Sequence, residues 1–115
     1  MTALAARGSS KYHAKKTVID GIEFDSAREA KRYTRLSALE GDGKIQHLRL
    51  QVPFEIVPSF ECDGVKYREM KYVADFVYVR DGKVVVEDCK GFKTPEYKLK
   101  KKLMAYVNHI NIEES

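Results

Sequence analysis

Three Asp-Gly dipeptides, at Asp20-Gly21, Asp63-Gly64 and Asp81-Gly82, each stand between two runs of β-prone residues. A two-residue hairpin needs positive φ at both turn positions, which Gly adopts freely and Asp tolerates. The three turns therefore commit much of the chain to antiparallel strands. TVI and IEF flank the first turn. A β-rich segment from Ile45 to Phe60, bent or edged by Pro53 and Pro58, leads to the second. The run VKYREMKYVADFVYV reads as one long strand into the third turn, and KVVVEDCKGF returns from it.

Helix signals interrupt this β pattern twice. Asp25 or Ser26 caps a helix SAREAKRYTRLSALE that reaches Glu40 and stops at Gly41-Asp42-Gly43. Thr94-Pro95-Glu96 opens a second helix, with Pro at a favoured first-turn position. Its apolar stripe is Leu99, Leu103, Tyr106 and Val107. HINIEES closes the chain as a short strand. The order is helix, three antiparallel-capable strands joined by tight turns, helix, strand. That order predicts an α/β domain with a small mixed central sheet between two helices.

At 115 residues the chain is long enough for one core and one domain. Residues 1–16 form a basic arm, read either as a solvated tail or as a segment that folds against phosphates, and 17–115 form the domain. No apolar run approaches the ~20 residues of a membrane span, and the N-terminus lacks a signal peptide's apolar centre. The expected location is the cytoplasm, without a membrane partner. Cys62 and Cys89 stand apart from any CxxC or Cys/His cluster, which argues against a disulfide framework or structural zinc. Cys89 reads as a small core residue. His13, His47 and His109 are scattered and suit surface positions. Ser-His-Asp hydrolysis, a Gly-rich phosphate loop and a dinucleotide fingerprint are absent. A net charge of +4 favours an anionic partner such as nucleic acid.

The informative acids lie where a carboxylate is expensive. Asp75 interrupts YVADFVYV, sharing a face with Val73 and Val77 while Tyr72, Ala74, Phe76 and Tyr78 share the other. In VVVEDCK, the same alternation puts Val84, Val86, Asp88 and Lys90 together and Val85, Glu87 and Cys89 opposite. The Asp81-Gly82 turn makes these strands neighbours and brings Asp75 and Asp88 close to opposite positions. Adjacent carboxylates repel. A divalent cation removes the conflict, and hard oxygen ligands suit Mg2+ or Mn2+. Salt bridges to nearby lysines are the structural alternative. Lys90 extends from the same face, able to pair with Asp88 or to hold a phosphate oxygen or an attacking water. Glu29 shares a helical stripe with Tyr33 and Leu36, and Ser26-x-x-Glu29 also has the spacing of a capping box.

An Asp in one strand, followed after twelve residues by Asp88-Cys89-Lys90 in its hairpin partner, resembles the PD-(D/E)XK nuclease superfamily. The resemblance is closest to a family of small phage-encoded endonucleases. It extends over KYHAKKT, DGIEFDSAREAKRY, LQVPFEI, YVADFVY, VVVEDCKGFKT and YKLKKKL. The proline usual before the first Asp is Ala74 here. The resemblance implies a restriction-endonuclease-like αβββαβ core and Mg2+-dependent hydrolysis of DNA, Mn2+ substituting. In that reading Asp75, Asp88 and the Cys89 backbone carbonyl hold the metal, and Lys90 positions the nucleophilic water. Glu29 adds a ligand directly or through water, and Gln51 enters the same site.

Lys93, Lys98, Lys101 and Lys102 cluster away from the Leu99/Leu103 stripe, and Arg28, Arg32 and Arg35 lie on the first helix. Such residues form a solvated face or grip DNA phosphates without reading sequence. The expected function is a metal-dependent endodeoxyribonuclease, with branched recombination intermediates of a phage as plausible substrates. A symmetric homodimer would let it cut two strands. The rivals are a catalytically silent DNA-binding or regulatory protein on the same fold, and an RNA-associated basic protein whose acids pair with lysines.

Overall fold

The computed structural model describes residues 16–115. Apart from Lys16, the basic arm expected over 1–16, and His13 with it, lies outside the described residues. The elements are β1 (Thr17–Ile19), β2 (Ile22–Phe24), α1 (Ala27–Gly41), β3 (Gln46–Val57), β4 (Phe60–Cys62), β5 (Val65–Tyr67), β6 (Met70–Arg80), β7 (Lys83–Asp88), α2 (Pro95–Asn108) and β8 (Glu113–Glu114). All three Asp-Gly turns form, joining β1 to β2, β4 to β5 and β6 to β7, with φ between 51° and 80° at every Asp and Gly. Paired positive φ is the geometry that twists a hairpin correctly.

The described residues divide into two compact units, 16–35 and 36–115. In the first, the buried Phe24 ring lies 5.1 Å from that of Tyr33, whose hydroxyl donates to Asp20 Oδ2 at 3.1 Å. The hairpin turn is thereby tied to the start of α1. Ser26 Oγ accepts the Glu29 backbone N–H at 3.1 Å, satisfying one of the helix's orphan donors.

The second unit holds a four-stranded mixed sheet in the order β3-β6-β7-β8. The first three strands are antiparallel neighbours, and β8 joins β7 in parallel after the α2 crossover. Pro53 sits in β3, an outer strand, where a missing N–H is tolerated. The single long strand expected from Val65 onward is two strands, because pairing breaks at Arg68-Glu69. β4 and β5 then form a separate exposed hairpin on which Phe60 stacks on Tyr67, centroids 4.9 Å apart.

The face assignments along β6 also need correction. Tyr72 and Ala74 pack in the same apolar cluster as Val77 and Val86, together with Ile56, Tyr97, Met104 and Ile112. Strict alternation would separate Tyr72 and Ala74 from Val77. The change of face falls at Asp75. Its partner step in β3 is Gln51, which has φ 53° and lies between the pairs Leu50↔Phe76 and Val52↔Ala74.

Thr94 caps α2 by accepting the Tyr97 N–H at 3.1 Å, with Pro95 at the first turn. The buried face is Tyr97 and Met104, at i and i+7, with Leu103 partly covered. The stripe expected to be buried is largely in solvent: Leu99 is 51% and Tyr106 81% exposed. Both stripes have helical spacing, and burying Tyr97 also frees its hydroxyl to reach β8. Cys62 is exposed and Cys89 half-buried just past β7, not the core position expected. His47 and His109 are exposed, both at φ 57°. No helix among the described residues is long and apolar enough to cross a membrane.

Candidate functional site

The β6–β7 ladder pairs Phe76 with Glu87, and one further step sets Asp75 opposite Asp88. The two aspartates are furnished differently. Asp75 Oδ1 accepts the Gln51 amide at 3.2 Å, and Oδ2 accepts the Cys89 backbone N–H at 2.9 Å. Asp88 is 1% exposed, and neither of its buried oxygens accepts a hydrogen bond. Lys90 Nζ approaches Asp88 Oδ2 at 3.2 Å as an ion pair, off the line of a hydrogen bond. Burial, and then the neighbouring Asp75 carboxylate, push the Asp88 carboxyl up to about 7, with Lys90 opposing the rise. Two carboxylates meet one ammonium, so the cluster keeps an excess of negative charge when both are ionised.

Lys90 is itself constrained. Its Nζ lies 4.6 Å from the centroid of the Tyr97 ring, a cation–π distance. Its backbone N–H donates to Ser115 O, and Ser115 N–H donates to Asp88 O. The final strand thus braces the Asp88–Lys90 segment from one side while Gln51 and Cys89 hold Asp75 from the other. A cleft of about 270 Å³ opens beside them, lined by Tyr72, Asp88, Lys90 and Tyr97 among others.

The donor set suits a hard divalent cation. Among the described residues no group of three or more His, Cys, Asp or Glu side chains is placed to hold a metal. Two carboxylates are nonetheless enough for Mg2+, which keeps several waters and takes the rest of its shell from backbone or phosphate oxygens. Unpartnered carboxylate oxygens buried at Asp88 are what such an ion would satisfy.

Gln51, Asp75, Asp88, Cys89 and Lys90, all singled out from sequence, come together here. Lys93, Lys98, Lys101 and Lys102 line a second cleft of about 300 Å³. Two of them are engaged by Glu114, which pairs with Lys93 Nζ at 2.8 Å and Lys101 Nζ at 2.9 Å and accepts the Tyr97 hydroxyl at 2.7 Å. Those three donors hold the Glu114 carboxyl down at about 2. Glu29, Arg28 and Arg32 belong to the first unit, and each has an interaction partner.

Sequence reasoning missed Tyr72, Tyr97, Glu87 and Glu114. Tyr72 lies on the other face from the one expected because alternation along β6 breaks at Asp75, which a strand pattern does not show. Its phenol is pushed well above its ordinary value by burial first and then by Asp88. Tyr97 belonged to the stripe that looked less apolar. Glu87, buried at 1%, accepts the Tyr78 hydroxyl at 2.5 Å and the Ser115 hydroxyl at 2.7 Å. The adjacent acids of VVVED were its signal, one for each face of the strand.

Residues 9–113 match the family described as "Protein of unknown function (DUF1064)". No curated protein and no solved structure matches the chain.

Proposed function

The chain belongs to the DUF1064 family, whose description assigns no activity, and we propose from its own residues that it is a metal-dependent endodeoxyribonuclease. The observation that carries this reading is the buried Asp88 carboxylate, unsupplied with hydrogen-bond donors and set opposite a second aspartate. A pair that served structure alone would be matched by donors or by cations one for one, because unpaired buried charge is strongly destabilising. The order α1, β3, β6, β7, α2, β8 supports a restriction-endonuclease-like αβββαβ core, with the β4–β5 hairpin inserted between its first two strands.

In this reading Asp75, Asp88 and the Cys89 backbone carbonyl would hold Mg2+ or Mn2+. The bound ion supplies Lewis-acid polarisation of a phosphodiester oxygen and an acidified water. Lys90, held over Tyr97, orients the attacking water and neutralises charge gathering on the phosphate. Gln51 fixes the Asp75 carboxylate. Lys98 and Lys102 grip flanking phosphates without reading sequence, joined by Lys93 and Lys101 once Glu114 gives way. A symmetric homodimer would allow both strands of a branched junction to be cut.

The experiment is a cleavage assay with junction, flap, duplex and single-stranded DNA in Mg2+ and in EDTA, using wild type and Asp88→Asn. Cleavage that requires both Mg2+ and Asp88 is expected on at least one substrate. DNA binding with no Mg2+-dependent product on any of them would favour a silent DNA-binding protein instead.

A further inference from the structure

We propose that the Tyr72 hydroxyl is the positioning donor for Asp88, holding one carboxylate oxygen so that the other is presented to a divalent cation. This deepens the nuclease reading and rests on it.

Among the described residues, the buried side-chain polar atoms without a hydrogen-bond partner are the Tyr72 hydroxyl and the two oxygens of Asp88. All three belong to residues lining one cleft. Tyr72 is 4% exposed, and its ring packs in the apolar cluster with Ala74, Tyr97 and Met104. Phenylalanine would supply that packing equally. Burying a hydroxyl without a partner costs about 1–3 kcal/mol, so tyrosine here is explained by something the hydroxyl does.

The two aspartates indicate what that is. Asp75 already has a donor on each oxygen, from Gln51 and from Cys89. Each ionised carboxylate oxygen has a further lone pair, so such donors orient the group without blocking a cation. Asp88 has the Lys90 ion pair and no hydrogen bond. A phenol is a donor at neutral pH, and the change of face at Asp75 has brought Tyr72 onto the Asp88 side of the sheet. Carboxylates that ligate metals are themselves hydrogen-bonded, and losing that outer partner weakens metal binding by about 10–100-fold. With one oxygen engaged by the cation, Asp88 has a defined direction for the other, towards Tyr72.

The test is calorimetric titration of Mn2+ into wild type, Tyr72→Phe and Asp88→Asn without DNA, with thermal melts of each in EDTA. Wild type is expected to bind Mn2+ and Asp88→Asn to bind it poorly. Tyr72→Phe should bind about 10–100-fold more weakly while melting in EDTA at or above the wild-type temperature, since an unpartnered buried hydroxyl is gone. Wild-type affinity in Tyr72→Phe, beside a deficient Asp88→Asn, overturns the role of Tyr72 and leaves the metal reading standing. A lower melting temperature of Tyr72→Phe in EDTA assigns the hydroxyl to the fold and also overturns it. Absence of Mn2+ binding by wild type overturns both readings together.

Discussion

The Gln51 amide reaches Asp75 Oδ1 at 3.2 Å from a residue whose own φ is 53°, so the first aspartate is gripped from a left-handed point in an outer strand. For a residue with a Cβ that conformation costs about 1–2 kcal/mol. It stands opposite the point where the faces of β6 change over. Local strain tolerated beside functional side chains is a recurrent pattern.

This yields a stability test that needs no activity. In a strand, Gly is ordinarily worse than Ala by roughly 0.5–1 kcal/mol. At position 51 the order should reverse, with Gln51→Gly more stable than Gln51→Ala by about 1 kcal/mol in urea denaturation. The usual order, Ala above Gly, would show that the left-handed conformation is absent in solution.

Asp88 should make stability depend on pH in the absence of divalent cations. Its carboxyl titrates at about 7 in the folded protein against an ordinary value of 3.8. The folded state therefore holds a proton that the unfolded chain has lost, and ionising it opposes folding. Stability from this group is fully present below about pH 4 and declines as pH rises through about 7. Asp88→Asn should accordingly exceed wild type in urea midpoint at pH 8 in EDTA, with the advantage fading towards pH 4. An advantage of constant size across that range would remove the titration from the explanation.

Much of this was legible in the sequence, and the failures have physical causes. The three hairpins were readable because Asp-Gly satisfies a backbone requirement few dipeptides meet. The juxtaposition of Asp75 and Asp88 followed from counting outward from the Asp81-Gly82 turn. Tyr72 falls on the other face from the one expected because alternation along β6 breaks at Asp75, with no Gly or Pro to mark it. The buried stripe of α2 differs from the Leu99/Leu103 pattern because Tyr97 contributes a ring to the core and a hydroxyl to Glu114. The β4–β5 hairpin separated from β6 at Arg68-Glu69, a break with no Gly or Pro to announce it.

If the nuclease reading holds, Lys90→Ala should retain cation binding and lose DNA hydrolysis by ~10²-fold or more, because the lysine would serve the water and phosphate rather than the ion. It should also melt lower than wild type in EDTA at pH 8, where Asp88 is ionised and has lost its ion pair. Calorimetry showing no Mn2+ binding by Lys90→Ala, with circular dichroism unchanged, would overturn this division of roles.

In the nuclease reading, Glu114 would compete with phosphate for the lysines it holds. Its carboxyl sits at about 2, below the ordinary 4.5, so its stabilising contribution is present above about pH 4.5 and lost as pH falls towards 2. The lysines are substantially exposed, so solvent screening limits the loss in Glu114→Gln at pH 7 to about 1 kcal/mol. The same change releases Lys93 and Lys101 for DNA. Affinity should rise, and the dependence of log Kd on log salt should steepen by up to about two phosphate contacts. An unchanged salt slope would mean that these lysines do not face DNA.

Ser26 and Glu29 separate helix capping from catalysis. Ser26 Oγ accepts the Glu29 N–H at 3.1 Å, so Ser26→Ala should lower stability by about 1 kcal/mol and leave the rate per folded molecule unchanged. Glu29→Gln keeps an oxygen able to complete a capping box from the other direction, so its melting temperature should stay near wild type. If Glu29 holds the metal or its water, the same change removes a negative charge where one is needed, and cleavage should fall by orders of magnitude. A catalytic Glu29 would split the two variants, stability falling in one and rate in the other. Full cleavage by Glu29→Gln would return this residue to the helix terminus and leave Asp75 and Asp88 as the acids that serve the cation.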